Sequence, residues 1–207
     1  MKDRTIALSA TAKSRRDQDE INRLLKACIN GYTKDIIVTV LNTGMRRQEV
    51  LGLKWSDMQG EFIYLTKTKT DEDRQISIND DLAELFKNIR QRVQLRSEYV
   101  FCDKKGRAFS EIKTSFKAAL RRAYIENFRF HDLRHTFSSH FVMRGGTIKE
   151  LQEILGHKTI TMTMRYAHLS QEHKKKAVNL LNGLTASGND TCHKTVTSLN
   201  VAKTGIS

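Results

Sequence analysis

The sequence predicts an α/β protein, mainly helical and of the α+β kind, with a small antiparallel sheet. Apolar residues recur at intervals of three and four through most of the chain, which is the spacing of amphipathic helices. Two segments, EFIYLT and RQISI, alternate as strands do, and the polar TKTKTDED between them predicts the turn of a β-hairpin. With 207 residues the chain is long enough for one substantial core, so we expect one domain.

The first half of the chain contains the hairpin and several predicted helices. The first helix spans RRDQDEINRLLKACIN, and Gly31 is its predicted end. Its apolar face consists of Ile21, Leu24, Leu25, Cys28 and Ile29. KDIIVTVLNTG is nearly all apolar and therefore predicts a central helix, after which MRRQEVLGLKW begins a new helical run. Beyond the hairpin, NDDLAELFKNIRQRV begins with a capping Asn or Asp and has one apolar face.

The second half is predicted to be helical apart from YVF, a candidate edge strand. SEIKTSFKAALRRAYI predicts a helix with Ser110 as its cap. Three helices follow in HDLRHTFSSHFVMR, in TIKELQEIL, which ends at Gly156, and in the short TITMTMRYAH, before a last helix in SQEHKKKAVNLLNG. We predict a linker or N-terminal remnant over residues 1–14, a folded domain over residues 15–184 and a flexible tail over residues 185–207.

The chain is strongly basic, with a formal net charge of +13 from 36 Lys and Arg against 23 Asp and Glu. Each neutralised phosphate of a nucleic acid releases condensed counterions, so nucleic acid is the leading partner class and an ordinary basic surface is the alternative. No run approaches the roughly 20 apolar residues that span a bilayer, and the N-terminus lacks a secretory segment. We expect a cytoplasmic protein without a membrane partner. The three cysteines are too few and too far apart to predict disulfides or a zinc site.

Four residues in the second half carry chemistry that packing does not require. His131 and Arg134 lie three apart at a helix start and share a face, where they offer an anion a bidentate donor and a group that titrates near neutrality. His157 follows a glycine at a helix break. Tyr166 lies beside an arginine, and a phenol held near cations can act as a nucleophile. Taken singly, each of these residues also has an ordinary structural explanation.

His131 and His135 also have the i, i+4 spacing of a metal chelate. The glutamate of the zinc-protease motif is absent between them, and the sequence offers no evident third ligand. We therefore expect no metal at this pair.

The order of several motifs resembles that of one family. The chain contains TGMRRQEVLGLKW, then KT within the hairpin, then HDLRHTFSSH, then LGH and finally TMRYAHL. This succession resembles the boxes of the tyrosine recombinases, the phage integrase family, over roughly residues 15–184. The last part looks most like temperate phage integrases of Gram-negative bacteria. The resemblance implies the tyrosine recombinase catalytic-domain fold.

The resemblance also implies a catalytic set, which is Arg46, Lys69, His131, Arg134, His157 and Tyr166. Glu49 matches the acidic residue that supports the first arginine. The hairpin lysine is the family's general acid, and Lys69 matches it better than Lys67 because of its distance from the RQIS strand. Tyr166 matches the nucleophile, which forms a 3′-phosphotyrosine ester with DNA. This chemistry conserves bond energy, so no cofactor, metal or ATP is expected.

The implied activity is site-specific cleavage and rejoining of double-stranded DNA. The implied assembly is a synaptic tetramer on DNA, with DNA-bending accessory proteins as further partners. Residues 170–184 match a segment that docks on a neighbouring protomer in the family, and packing within the chain is equally consistent. Because the family normally carries a core-binding domain ahead of this region, we expect a fragment or a reduced recombinase. The alternatives are a type IB topoisomerase-like enzyme and a non-catalytic DNA-binding remnant.

Overall fold

The computed structural model describes residues 17–66, 73–93, 97–170, 178–179 and 181–182, and this part of the chain is mostly helical. Its α-helices are α1 (Gln18–Lys26), α2 (Gly31–Thr43), α3 (Arg47–Leu51), α4 (Asp80–Val93), α5 (Lys113–Arg122), α6 (Asp132–Met143) and α7 (Ile148–Leu155). Its strands are β1 (Met58–Gln59), β2 (Phe62–Leu65) and β3 (Arg74–Ser77). Short 3-10 helices are η1 (Trp55–Asp57), η2 (Ile160–Met162) and η3 (Met164–Ser170).

Helix α2 lies at the centre of the fold, as its apolar sequence predicts. Ile36, Ile37 and Val40 are fully buried, and the helix packs against α3, α4 and α6. It ends at Gly44, which adopts φ +65°. A Cβ there would lie 2.6 Å from the Phe137 side chain, so glycine allows both the left-handed turn and the close approach of α6.

The predicted hairpin is confirmed, and it belongs to an antiparallel sheet of order β1-β2-β3. Ile63 pairs with Ile76 across β2 and β3, and both side chains are buried. Strand β1, which was not predicted, extends the sheet beyond the hairpin by pairing with β2. Lys67 and Lys69 lie in the connection between β2 and β3, which is outside the described residues.

The predicted extent of the first helix is wrong. Helix α1 ends at Lys26, and Gly31 begins α2 instead of ending α1. The carbonyl of Asn30 accepts hydrogen bonds from the N–H groups of the residues three and four positions later, which starts the new helix. Ile29, predicted on the apolar face, lies between the helices and is 76% exposed. Apolar periodicity continued through this junction, so the sequence pattern did not reveal it.

Three other predicted elements differ from the structure. Tyr99 of the YVF segment makes an isolated bridge with Lys54 and does not form a strand. Ser110 is not the cap of α5, because the N-cap position is Ile112 and the Glu111 carboxylate accepts from the backbone N–H groups of Ile112 and Lys113. The segment TITMTMRYAH forms 3-10 turns instead of an α-helix.

Some predictions lie wholly or mostly outside the described residues. They are the linker over residues 1–14, the tail over residues 185–207, and most of the last helix. Within the described residues, no helix is both long and apolar enough to cross a membrane.

Buried apolar side chains form a large cluster and a smaller one. The smaller cluster contains Phe137, Val142, Leu151, Leu155 and Tyr166, from α6, α7 and η3. This packing holds the predicted nucleophile against α6 of its own chain. The tyrosine and the predicted arginine of α6 therefore lie in the same region of the fold.

Candidate active site

Arg46 follows the end of α2 and contacts a buried carboxylate. Its backbone N–H donates to Glu49 Oε2 at 2.7 Å, and its Nη1 lies 3.2 Å from Glu49 Oε1. Arg74 of β3 contacts the same carboxylate, with Nη2 2.7 Å from Oε2. The contact between Glu49 and Arg46 is the one predicted, whereas Arg74 was not predicted.

The Arg74–Glu49 ion pair is almost completely buried, with 5% and 8% of the side chains exposed. Burial alone would raise the pKa of Glu49. The guanidinium of Arg74 and the N–H of Arg46 act in the opposite direction, and the net pKa is lowered. Arg74 also donates from Nε to the Ile154 carbonyl at 2.9 Å, which joins β3 to α7. The carboxylate thus stays charged and fixes two guanidinium groups beside the site.

Arg134 projects from α6 into the interior and is 4% exposed. Its Nη1 donates to the Gly44 carbonyl at 2.7 Å, and its Nη2 donates to the Leu155 carbonyl at 2.8 Å. These carbonyls lie at the C-terminal ends of α2 and α7, where the helix dipoles carry partial negative charge. Burial, followed by the charges of Arg46 and Arg74, lowers the pKa of Arg134 to about 10. An anion bound here would relieve this accumulation of positive charge.

His157 follows Gly156, which ends α7 with φ +66°. Its Nδ1 lies 2.9 Å from the Thr163 hydroxyl. Burial, with added repulsion from Arg134 and Arg46, lowers the pKa of His157 to about 4. The imidazole is therefore neutral near pH 7.

Tyr166 is 2% exposed, and its hydroxyl is hydrogen-bonded to Nδ1 of His135. Burial raises the pKa of Tyr166, while a hydrogen bond from Ser138 and the charges of Arg165 and Arg134 partly oppose that rise. The His135 ring in turn lies edge-on to His131, with ring centroids 4.9 Å apart. A continuous row of side chains thus runs from His131 through His135 to the phenol oxygen.

His131 is exposed at the start of α6. Burial and then the charge of Arg134 lower its pKa, while Asp132 raises it. A cleft of about 480 Å³ opens beside His131 and Arg46. Its lining includes basic side chains, namely Arg47, Lys113, Lys117 and Arg129.

The structure brings five of the six predicted site residues together, and these are Arg46, His131, Arg134, His157 and Tyr166. Lys69 lies outside the described residues. Two neighbours of this group were missed by the sequence analysis, Arg74 and His135. Arg74 lies two positions before buried Ile76, so the two side chains share one face of β3. A charged residue on that buried face was a signal in the sequence that could have identified Arg74. The i, i+4 spacing from His131 drew attention to His135, but only as a metal ligand.

In the part of the chain that the structure describes, no group of three or more His, Cys, Asp and Glu side chains is arranged to hold a metal ion. His135 instead directs Nδ1 towards the hydroxyl of Tyr166.

The fold and the site define a tyrosine recombinase catalytic domain. The family model described as phage integrase family matches residues 14–173, and the chain belongs to this family. The expected family and fold class are thereby confirmed.

Individual relatives agree with this assignment. The integrase of Escherichia phage 186 is 39% identical over 168 residues, which are 78% of this chain and 46% of that protein. The solved catalytic domain of bacteriophage HP1 integrase is 35% identical with a TM-score of 0.64, covering 84% of this chain and 98% of that one. A lambda integrase tetramer bound to a Holliday junction has the same fold, with a TM-score of 0.66 at 20% identity over 73% of this chain and 47% of that one. The chain spans about half the length of the curated relatives that it matches, with 47%, 46% and 44% of the first three covered.

Proposed function

We propose that this chain is the catalytic part of a site-specific DNA recombinase or integrase. It cleaves and rejoins DNA strands through a 3′-phosphotyrosine intermediate, without metal or ATP. The observation that carries the proposal is the position of the Tyr166 hydroxyl in the same cluster as the buried guanidinium of Arg134. A nucleophile beside a preorganised anion site is what phosphoryl transfer requires.

In the proposed reaction, Tyr166 Oη attacks the scissile phosphorus and the 5′ oxygen leaves. Lys69 protonates this leaving oxygen, which completes a transfer that conserves one phosphate ester bond. Arg46 and Arg134 stabilise the negative charge that develops on the non-bridging oxygens. A 5′ hydroxyl from a second DNA end then attacks the phosphotyrosine, reverses the steps and joins a new pair of strands.

Neutral histidines suit this site because they donate hydrogen bonds without adding to its positive charge. In the tautomer in which Nδ1 of His157 accepts from the Thr163 hydroxyl, the proton of the imidazole resides on Nε2 and is available to a phosphate oxygen. We propose the same role for His131, which lines the cleft beside Arg46. Preorganised donors of this kind stabilise the transition state more than they would in water.

Double-stranded DNA is the proposed substrate and partner. The net charge of +13 and the basic lining of the cleft support it, and a lambda integrase has been solved on a Holliday junction as a tetramer. We extend the proposal to a synaptic tetramer on DNA, with DNA-bending accessory proteins, acting in the bacterial cytoplasm. Affinity that comes mainly from phosphate contacts should fall steeply as salt increases.

The proposal is tested by trapping the covalent intermediate. A pool of randomised duplexes, each nicked just 3′ of the position to be cleaved, releases a short 5′-hydroxyl strand on cleavage and leaves the protein attached to DNA. We expect the unaltered chain to form this adduct and Tyr166→Phe to form none. The adduct is measured on denaturing gels with labelled DNA.

Tyr124→Phe is the matched control, because it removes the same hydroxyl from a side chain that is 91% exposed. It should form the adduct at the unaltered rate. An adduct with Tyr166→Phe would show that another residue is the nucleophile. No adduct with the unaltered chain would favour the non-catalytic remnant, and relaxation of supercoiled plasmid without a preferred site would favour the topoisomerase-like enzyme.

A further inference from the structure

We propose that His135 is a catalytic residue that takes the phenolic proton of Tyr166 as Tyr166 attacks DNA and returns it when the strands are rejoined. This inference rests on the proposed function. Its observation is the hydrogen bond between His135 Nδ1 on α6 and the Tyr166 hydroxyl on η3. The two residues are 31 positions apart in the chain, so the contact results from the docking of η3 on α6.

Few of the described groups around Tyr166 can accept its phenolic proton. The side chain is 2% exposed, so bulk water does not reach it freely. Among the described residues, the groups that hydrogen-bond to its hydroxyl are the imidazole of His135 and the hydroxyl of Ser138. Ser138 also lies 2.8 Å from the Arg134 carbonyl, to which it donates. Of these neighbours, only the imidazole is a base near neutral pH.

The His135 ring carries no charge before DNA binds, so its Nδ1 can accept a proton. Burial and then the neighbouring His131 lower its pKa to about 4, so the ring is neutral near pH 7. Asp132 opposes this shift, and Arg165 on η3 and Arg134 on α6 reinforce it. With Tyr166 as the donor, Nδ1 is the acceptor and Nε2 carries the ring proton.

An imidazole with so low a pKa is a weak base, and a bound phosphate offsets the part of the shift that comes from Arg165 and Arg134. A DNA phosphate beside Arg134 and Arg165 neutralises charges that disfavour the imidazolium ion, so the basicity of His135 rises when the substrate is in place. The phenol becomes more acidic at the same moment, because its oxygen is forming a bond to phosphorus. Proton transfer is therefore favourable only in the complex, where it is needed.

The step balances in both directions. As the Tyr166 Oη–phosphorus bond forms, the proton of Oη moves to His135 Nδ1. The bond from phosphorus to the 5′ oxygen breaks, and that oxygen receives a proton from Lys69. In rejoining, the incoming 5′ hydroxyl returns its proton to Lys69, and the His135 imidazolium returns a proton to Tyr166. The Ser138 hydroxyl, which donates to the Arg134 carbonyl before the reaction, can turn to donate to the phenol oxygen while that oxygen carries negative charge.

The experiment must distinguish a base from a residue that only positions Tyr166. His135→Asn keeps a hydrogen-bonding group near the place of Nδ1 but cannot accept the proton. We expect its single-turnover rate of adduct formation, with protein in excess over the nicked duplex, to fall about 100-fold. A rate close to that of the unaltered chain would mean that His135 is only a positioning residue and would overturn the proposal.

A more acidic nucleophile distinguishes a base from a residue with a purely structural role. Only the loss of a base gives a rate defect that depends on the pKa of the phenol. Incorporation of 3-fluorotyrosine at position 166 lowers the phenol pKa, so less help from a base is needed. The defect of His135→Asn should shrink to about 10-fold in this background. An undiminished defect would contradict proton transfer to His135, and it would do so even if the variant were slightly misfolded.

The matched control is His168→Asn, which replaces an exposed histidine on η3, the same element as Tyr166. It should leave the rate unchanged. Failure of this inference is distinct from failure of the proposed function. If the unaltered chain forms no adduct, the proposed function is wrong, whereas an adduct that forms equally fast with His135→Asn removes only the role of His135.

Discussion

Arg74 illustrates how one side chain can serve both the stability of the fold and the geometry of the site. It joins β3 to the last turn of α7 through the Ile154 carbonyl and pairs with Glu49, which also holds Arg46. A Cβ added at Gly156 would lie 2.8 Å from Cδ of Arg74. The backbone at Gly156 therefore passes close to the Arg74 side chain just before His157. Arg74 thus contacts Glu49, which also holds Arg46, and packs against Gly156, which precedes His157.

We predict that Arg74→Met lowers the free energy of unfolding by about 3 kcal/mol, because it leaves a buried carboxylate without its principal partner. Arg47→Met is the control, since Arg47 pairs with Glu111 while 46% and 48% of the two side chains are exposed. That change should lower the free energy by less than about 1 kcal/mol. Urea unfolding of both variants measures the difference, and equal losses would contradict the role of burial.

At the scale of elements, the site forms where the C-terminal ends of α2 and α7 meet the N-terminal half of α6. Arg134 donates to the carbonyls of Gly44 and Leu155, which lie at those two helix ends. Gly44 also permits the contact, because Phe137 of α6 occupies the space where a Cβ would lie. The path of the backbone at Gly44 therefore determines where Arg46 and Arg134 meet.

We predict that Gly44→Ala destabilises the protein by about 3 kcal/mol, the sum of backbone strain at positive φ and a steric clash. Gly60→Ala isolates the strain, because Gly60 has φ +60° and nothing lies within 4 Å of its added Cβ. This second change should cost only about 1 kcal/mol. Urea unfolding compares the two, and similar losses would mean that the clash at Gly44 is relieved by movement of α6.

At the scale of the whole molecule, the site concentrates positive charge and keeps its histidines neutral. The pKa values of His135 and His157 are each lowered to about 4, mainly by burial, and that of His131 is also lowered. In the unfolded chain these groups return towards 6.5. Between these values the unfolded state binds more protons than the folded state, so stability falls as the pH falls from about 6.5 to about 4.

We predict that lowering the pH from about 7.5 to about 5.5 reduces the free energy of unfolding by about 1 kcal/mol for each of His135 and His157, after allowance for solvent screening of the two partly exposed rings. Urea unfolding at the two pH values measures this change. His135→Asn should show a smaller loss, because one of the titrating groups is gone. Stability that stays level or rises at the lower pH would contradict the neutral state of these histidines.

The sequence by itself determined the features that depend on neighbours along the chain. Helical periodicity identified the central helix, alternation identified the hairpin, and the glycines marked the ends of α2 and α7. The motif order identified the family, and with it the predicted catalytic residues. The helix, hairpin and glycine signals are local, since each comes from residues within a few turns or one hairpin.

Tertiary structure alone decided which distant groups meet. Glu49 and Arg74 are 25 positions apart, His135 and Tyr166 are 31 apart, and Arg134 and Gly44 are 90 apart. No local period encodes such contacts, because they depend on how α6, α7 and β3 pack once their apolar faces are buried. The same packing removed the Tyr166 hydroxyl from water and gave it His135 as a partner.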